Sequence, residues 1–292
     1  MTRTVTVGID GSRESLAAVE WAAGEALSRA RLLRVVHAWS TDVDVVTRYV
    51  EPETQRRWAE TLLHSAEERV RRTHPDVRLE TSQLGGDPVA VLTEEGERAD
   101  LLVLGSRGIG GMTGFIAGSV SLAVLARAQR PVVLVRAPES EETESARRSG
   151  DVVLGLDLPV SGEDVLAFAF GSADRYGCGL RIVHSWTLPP SYGPNTSGVL
   201  PMLLDEVGAE QRKQLEAAVA PWTEKYPGVP VSTRCRQGHP AQDLVETAAE
   251  ADSRLIVVGL RRRHSRLGGH IGPVVHSVLH HSAAPVAVIP HE

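Results

Sequence analysis

The sequence has little cysteine, little lysine and no long apolar run. Its two cysteines, Cys178 and Cys235, form no CxxC motif and no disulfide framework, which fits a reducing compartment. Lys213 and Lys225 are the only lysines among 31 basic residues, a bias that we attribute to genome composition. No stretch approaches the roughly 18–20 consecutive apolar residues of a membrane helix, and the N-terminus lacks the apolar core of a signal peptide. We therefore predict a cytoplasmic chain with no membrane partner.

An excess of positive charge is also absent. The net charge is −6 and the pI is about 6.0, whereas a domain that binds duplex nucleic acid is normally basic, so we predict no nucleic-acid partner. The 42% hydrophobic and 23% charged content excludes disordered and collagen-like classes. One domain usually takes about 100–200 residues, so a chain of 292 residues predicts two domains.

The chain repeats itself. Residues 5–39 align without a gap on residues 152–186 at an offset of 147, and the C-terminal parts of the two halves align at an offset of 154. The matched pairs include Gly8 and Gly155, Asp10 and Asp157, His37 and His184, Gly105 and Gly259, and Gly118 and Gly272. A period near 150 residues indicates a duplicated domain, because solenoid repeats are only about 20–50 residues long.

The join between the copies is marked by composition. Residues 138–150 carry no large apolar side chain and cannot offset their ordering entropy by burial. We predict a first domain at 1–137, a linker at 138–150 and a second domain at 151–292.

Each half alternates strand-like and helix-like segments. In the first half, short apolar runs stand at 5–9, 33–37, 101–104 and 132–135, and a further strand is expected to start at Val77. Helical spacing is found at 16–30 and 52–73, and Asp87 before Pro88 has the pattern of a helix N-cap. Strands that alternate with helices predict an α/β fold, in which a parallel sheet carries helices on both faces.

A glycine-rich loop follows the fourth strand. Five glycines stand among residues 105–114, and Gly118-Ser119 falls where the next helix should begin. No lysine makes this a P-loop, and the position after the fourth strand, with no third glycine at Thr113, does not fit the Rossmann fingerprint. Glycines let backbone N–H groups approach an anion, and a helix N-terminus favours negative charge. The loop therefore predicts phosphate binding.

The spacing Gly105-x₂-Gly108-x₉-Gly118-Ser119 resembles the nucleotide-binding motif of the universal stress protein family. The opening segment 7–12 and the closing segment 131–135 are also similar to that family, and the likeness covers both halves. The resemblance implies two tandem, doubly wound, five-stranded parallel sheets of order 3-2-1-4-5. In that order a ligand crevice lies between strands one and four, beyond their carboxyl ends.

The family also implies roles for individual residues. An aspartate at Asp10 would hydrogen-bond the adenosine, Gly105 and Gly118 would cradle the phosphates, and Ser119 would supply a hydroxyl and an N–H. The implied contacts are Ile9, Asp10, Val36, Gly105, Arg107, Gly108, Gly118, Ser119 and Val120. Simpler interpretations remain open: Asp10 as a helix cap, the glycines as turn residues, and Arg107 as a solvated charge.

The second half breaks this motif. Arg262 stands where a glycine is needed, and Pro273 lacks both the hydroxyl and the N–H that Ser119 offers. We predict that this half has lost ATP binding by the family mode. The alternative is that the arginines of the loop at 261–266 hold phosphates with their side chains.

Histidines suggest two further features. His276 and His280 are four residues apart on the last helix, but no HExxH motif and no third ligand accompany them, so we predict no metal site. His37 and His184 repeat at the end of the second strand of each half, where we expect buried, hydrogen-bonded side chains.

The sequence contains no catalytic constellation. The leading hypothesis is an ATP-binding, nucleotide-sensing regulatory module that takes ATP alone or with Mg²⁺, is not an enzyme and forms a homodimer. One rival is a slow ATPase of the adenine nucleotide hydrolase-like superfamily, and the other is a non-binding dimerisation scaffold. The protein partner is not predicted.

Overall fold

A computed structural model describes residues 3–39, 52–107, 118–140, 142, 145, 149–158, 162–187, 200–262 and 271–292. These residues contain ten strands and eight helices. Among the helices of the described ranges, none is long and apolar enough to cross a membrane.

The described residues of the first half form nine elements. In order they are β1 (Thr4–Gly8), α1 (Arg13–Ser28), β2 (Leu32–Trp39), α2 (Pro52–Thr73), β3 (Leu79–Gly85), α3 (Pro88–Arg98), β4 (Leu101–Gly105), α4 (Ser119–Leu125) and β5 (Val132–Val135).

The second half repeats the same order. Its elements are β6 (Val152–Gly155), α5 (Glu163–Tyr176), β7 (Leu180–Trp186), α6 (Leu200–Lys225), β8 (Val231–Gln237), α7 (Pro240–Glu250), β9 (Leu255–Arg261), α8 (Pro273–His281) and β10 (Val286–His291).

The strands form a single sheet in the order β3-β2-β1-β4-β5-β10-β9-β6-β7-β8. Each half has the predicted order 3-2-1-4-5 with parallel pairing, so the expected fold is confirmed. The two five-stranded sheets are also joined, because β5 and β10 pair antiparallel with Val133 opposite Ala287. We call this β5–β10 junction the seam. Strand direction reverses there, so the carboxyl ends of the two halves lie at opposite edges of the sheet.

Two apolar layers cover the sheet. Side chains of α1, α2, α5 and α6 fill one layer, and those of α3, α4, α7 and α8 fill the other. All residues of β4 and β5 are buried, as expected for parallel strands covered on both faces. This burial positions the residues that immediately follow β1 and β4.

Local chemistry accounts for most element ends. Asp87 accepts the Ala90 N–H at 2.9 Å and caps α3, as predicted. The predicted start of the third strand at Val77 is wrong: Val77 N–H donates to the His74 carbonyl in the turn that closes α2, and β3 begins at Leu79.

His37 and His184 are buried, as expected. Their Nδ1 atoms lie 2.9 Å from the carbonyl oxygens of Ile9 and Leu156, respectively, so each ring donates a hydrogen bond to the end of its neighbouring strand.

Candidate functional site

The first crevice lies where the chain leaves β1 and β4, which are neighbours in the sheet. Ile9 to Gly11 follow β1, and Ser106 and Arg107 follow β4, so the topology brings both segments to the carboxyl edge of the first half. Ligands bind at such switch points in open α/β sheets.

Asp10 organises the turn into α1. Its Oδ1 accepts the Ser12 N–H at 2.9 Å and the Ser12 hydroxyl at 2.6 Å. Ser12 Oγ in turn accepts the Ser15 N–H at 3.1 Å and is the N-cap of α1. The interpretation of Asp10 as the helix cap is therefore wrong, because Asp10 holds the residue that caps. Gly11 between them has φ +87°, which favours glycine.

Gly105 ends β4 against the start of α1. A Cβ at this position would lie 2.8 Å from the Ser15 nitrogen and 2.9 Å from the Glu14 carbonyl carbon, so no side chain fits there. The Gly105 carbonyl accepts the Ser121 hydroxyl at 2.8 Å, which ties the first turn of α4 to the same point. Gly105 thus brings β4, α1 and α4 together.

Gly118 is the N-cap of α4, with no side-chain hydrogen bond to the cap, and its own N–H donates to the Ser106 carbonyl at 2.7 Å. Ser119 is exposed at the first helical position, and Val120 is half-buried against the layer under α3 and α4. The first N–H groups of α4 therefore face the end of β4 without a side-chain acceptor. Gly108 lies outside the described residues.

Arg107 forms an ion pair with a carboxylate. Its Nε lies 3.4 Å from Glu14 Oε1, so a carboxylate at the start of α1 opposes its charge. The neighbouring Ser106 is buried, and within the described part of the chain its hydroxyl has no hydrogen-bond partner. A buried hydroxyl without a partner is unusual in a native structure and suits a site that a polar ligand completes.

Ile9 and Val36 contribute backbone rather than side chains. Both side chains are buried, in opposite layers, and the Ile9 N–H donates to the Val36 carbonyl at 2.9 Å. The second lone pair of the Val36 carbonyl is the acceptor that a ligand could still use there.

The second half has a crevice at the equivalent place, a cavity of about 470 Å³. Asp157, Val183, Gly259, Gly272 and Pro273 line it at the positions of Asp10, Val36, Gly105, Gly118 and Ser119. Its chemistry differs, because Leu260, Pro273 and Val275 replace the three hydroxyl residues Ser106, Ser119 and Ser121.

His291 also narrows the second crevice. A Cβ on Gly259 would lie 2.7 Å from His291 Nε2, so the imidazole covers the backbone of Gly259. The equivalent residue in the first half is Ala137. Arg262 is exposed, its N–H donates to the His291 carbonyl at 2.8 Å, and its guanidinium lies 3.6 Å from Glu292. The rest of the arginine loop, residues 263–266, lies outside the described part of the chain.

The rim of the second crevice carries a polar cluster that sequence reasoning missed. Ser185 donates to Asp243 at 2.5 Å, and Arg236 forms an ion pair with the same buried carboxylate. The strand register places Ser185 beside Arg236, as it places Ala38 beside Leu84 in the first half. Comparing the two copies position by position would have revealed this change from apolar to polar.

Ser12, Glu14, Ser106 and Ser121 were also missed in the first half. Ser12 stands two residues after Asp10 in the segment Asp-Gly-Ser, where either side chain has the chemistry of a cap. The pairing of Glu14 with Arg107 joins residues 93 positions apart, which one sequence does not reveal.

His276 and His280 lie side by side on α8, with their Nε2 atoms 3.2 Å apart. Over the described ranges, no three histidine, cysteine, aspartate or glutamate side chains come together in a group that could hold a metal ion.

The chain is similar to known proteins along nearly its whole length. The family model described as "Universal stress protein family" matches residues 1–136 and 150–290. A curated universal stress protein of Mycobacterium tuberculosis is 32% identical over 97% of this chain and 96% of its own length. One of Mycolicibacterium smegmatis is 29% identical over 98% and 96%, respectively. The crystal structure of a universal stress protein from Archaeoglobus fulgidus shares the fold, with a TM-score of 0.70, 20% identity and full coverage of both chains.

Proposed function

Because the chain belongs to the universal stress protein family, we propose that its first half, residues 1–137, binds one ATP in the crevice between β1 and β4. We propose further that the protein is a nucleotide-sensing regulatory module. The observation that carries the proposal is the meeting of Gly105, the start of α1 and the start of α4 at one point of the sheet edge.

The residues of this crevice fit an anionic nucleotide. On the phosphate side, the first N–H groups of α4 lack a side-chain cap, and the hydroxyls of Ser106 and Ser119 stand beside them. Arg107 adds a positive charge, and the carboxylate that opposes it is Glu14, whose Oε1 lies 3.4 Å from Arg107 Nε. On the nucleoside side, Asp10 offers carboxylate oxygens, which suit the hydroxyl donors of a ribose. Ile9, Val36 and Val120 complete the crevice, and the glycine at 108 fits close backbone approach.

The second half is proposed not to bind ATP in this way. Pro273 has no N–H to offer a phosphate, and the His291 imidazole covers Gly259 at the end of β9, where the first half has Ala137 in place of the histidine. The loss of three hydroxyls makes this crevice less able to replace the water around a triphosphate.

We favour binding over hydrolysis because the carboxylates beside the crevice already have partners. Asp10 accepts two hydrogen bonds from Ser12, and Glu14 faces Arg107. A general base must be free to take a proton from water at the γ-phosphate. ATP, with or without Mg²⁺, is therefore proposed as a bound signal rather than a substrate.

Calorimetric titration of the full chain with ATP tests the proposal. We expect one site per chain and no steady phosphate release over the same period. Ser119→Ala should weaken ATP roughly 10–150-fold, the effect of one lost hydrogen bond to a charged group. Ser65→Ala, on the exposed face of α2, is the matched control and should leave the affinity unchanged. Two sites per chain would contradict the proposed loss in the second half, and steady turnover would favour the ATPase.

The expected homodimer must use other surfaces than the seam, because β5 and β10 already pair with each other. The outer strands of the sheet are β3 and β8. We propose that any dimer forms through these strands or through the helical faces. Light scattering on the purified chain measures the mass directly.

A further inference from the structure

A separate cleft of about 620 Å³ lies across the seam. It is lined by residues that precede β1, β2, β4 and β5, and by residues of α5. In the first half these are the amino ends of the strands, so the cleft lies at the sheet edge opposite the proposed ATP crevice.

Arginines dominate the wall of this seam cleft. Those that line it are Arg3, Arg29, Arg31, Arg130 and Arg175. Asp100 and Asp164 are the acidic residues among the described lining. The whole chain has a net charge of −6, so this positive concentration is local.

Two of the arginines, one from each half, share a single buried carboxylate. Glu25 Oε1 lies 2.5 Å from Arg29 Nε and 3.4 Å from Arg175 Nη2, and Glu25 is 3% exposed. Arg29 Nη2 and Arg175 Nε are buried and have no hydrogen-bond partner among the residues that the structure describes. Unused donors on a buried charged group cost free energy, so this arrangement lacks an acceptor.

The same pair carries two positive charges against the one negative charge of Glu25. Burial lowers the pKa of Arg175, and the positive charge of Arg29 lowers this pKa further, whereas Glu25 raises it. Arg31 is satisfied by Asp100 at 3.0 Å. Arg3 and Arg130 are exposed, and within the described ranges neither has a carboxylate within 4 Å. The described lining therefore holds five arginines against Asp100 and Asp164, and Arg29 and Arg175 share the single carboxylate of Glu25.

We propose that the seam cleft binds a small anion that carries phosphate groups. Guanidinium groups match phosphate oxygens with paired N–H donors. The volume lies within the range of small-molecule sites. Nucleic acid does not fit, because Arg29 and Arg175 lie inside a concave cleft rather than on an exposed stripe. An anion there offsets the repulsion between Arg29 and Arg175. Rotation of either guanidinium group would turn its unused N–H groups towards the anion.

Titration of the full chain with inorganic pyrophosphate tests the proposal. The double variant Arg3→Gln/Arg130→Gln changes exposed residues of the cleft and should weaken pyrophosphate at least 10-fold, as expected when charge-assisted hydrogen bonds are lost. The matched control is Arg56→Gln/Arg72→Gln on α2, which makes the same change in net charge on exposed residues and should have no effect. Arg175→Gln, with its fold checked by circular dichroism, should also lose binding.

Several results would overturn the seam site. The first is that pyrophosphate does not bind, and the second is that both double variants weaken it equally. The third is that Asp10→Ala abolishes binding, which would place pyrophosphate in the ATP crevice. Tighter binding of citrate than of pyrophosphate would overturn the preference for phosphate. The site is independent of the proposed function: if ATP itself occupied the seam, Arg3→Gln/Arg130→Gln would weaken ATP while Asp10→Ala would not. Free phosphate and phosphorylated metabolites are distinguished by titrating orthophosphate and a sugar phosphate in parallel.

Discussion

Tyr176 of the second half donates its hydroxyl hydrogen to Glu25 of the first half across 2.5 Å. The two residues are 151 positions apart in sequence, and they join α1 to α5 beneath the seam. Because α1 begins at the candidate ATP crevice and reaches Glu25 in its fourth turn, one helix connects the crevice to the second half.

This contact predicts a pH dependence of stability. Burial and the charge of Glu25 raise the pKa of Tyr176 well above its ordinary value of 10.0. Above pH 10 the unfolded chain therefore releases a proton that the folded chain keeps, and the free energy of unfolding falls by about 1.4 kcal/mol per pH unit. Tyr176→Phe should remove this part of the alkaline slope, measured by urea unfolding between about pH 9 and pH 11, on either side of the ordinary tyrosine pKa. An unchanged slope would contradict the assignment.

Asp10 and Asp157 form a matched pair for testing the ATP site. Asp10→Ala should weaken ATP about 10-fold or more by removing a charged hydrogen-bond acceptor, whereas Asp157→Ala should leave the affinity unchanged. Asp10→Ala should also lower the free energy of unfolding by about 1–2 kcal/mol, because Ser12 loses the residue that orients it as a cap. Calorimetry and urea unfolding separate the two effects. Equal losses of ATP affinity would show that the second crevice works.

Gly105 and Gly259 should respond differently to alanine. A Cβ at Gly105 meets backbone atoms of Glu14 and Ser15, which can move only with α1, so Gly105→Ala should cost about 1–3 kcal/mol. A Cβ at Gly259 meets the imidazole of His291, a side chain at the end of the last strand. Gly259→Ala should therefore cost less, and adding His291→Ala should recover part of the loss. Thermal melting of the three variants measures this order, and an equal cost at both glycines would contradict it.

Ala30 and Gly177 occupy the same position after α1 and α5. Both have positive φ, 51° for Ala30 and 62° for Gly177. This conformation costs a residue with a Cβ about 1–2 kcal/mol, and a Cβ at Gly177 would meet nothing within 4 Å. Ala30→Gly should therefore stabilise the chain by about 1 kcal/mol, and Gly177→Ala should destabilise it by a similar amount. Urea midpoints give both values. If Ala30→Gly destabilised the chain and Gly177→Ala stabilised it, the backbone of the turn would have to relax when its residue changes.

Local patterns predicted most of the fold. The helical spacing at 52–73 coincides with α2, and the apolar run at 132–135 coincides with β5, because each pattern reports which face of an element is buried. The seam was not predicted. Whether the edge of β5 pairs with β10 or faces a helix depends on the docking of two folded halves, which no local pattern records.

The candidate site also has one part that the sequence predicts and another part that it does not. The residues of the glycine motif could be named because their spacing resembles the nucleotide-binding motif of the universal stress protein family. Ser12 as the cap, Glu14 beside Arg107 and His291 over Gly259 each depend on contacts between distant segments. The Ser106 hydroxyl lacks a partner among the described residues because of how the surrounding segments pack, which no local pattern records.

The seam also bears on aggregation. β5 and β10 are fully buried apolar strands, and an open edge of this kind is a template for uncontrolled strand pairing. The strands left at the outside, β3 and β8, carry exposed polar residues such as Glu80, Ser232 and Thr233 that discourage such pairing. A chain cut back to its first half would expose the Val132–Val135 edge to other copies. Duplication therefore protects each half from self-association, independently of whether the second crevice binds a ligand.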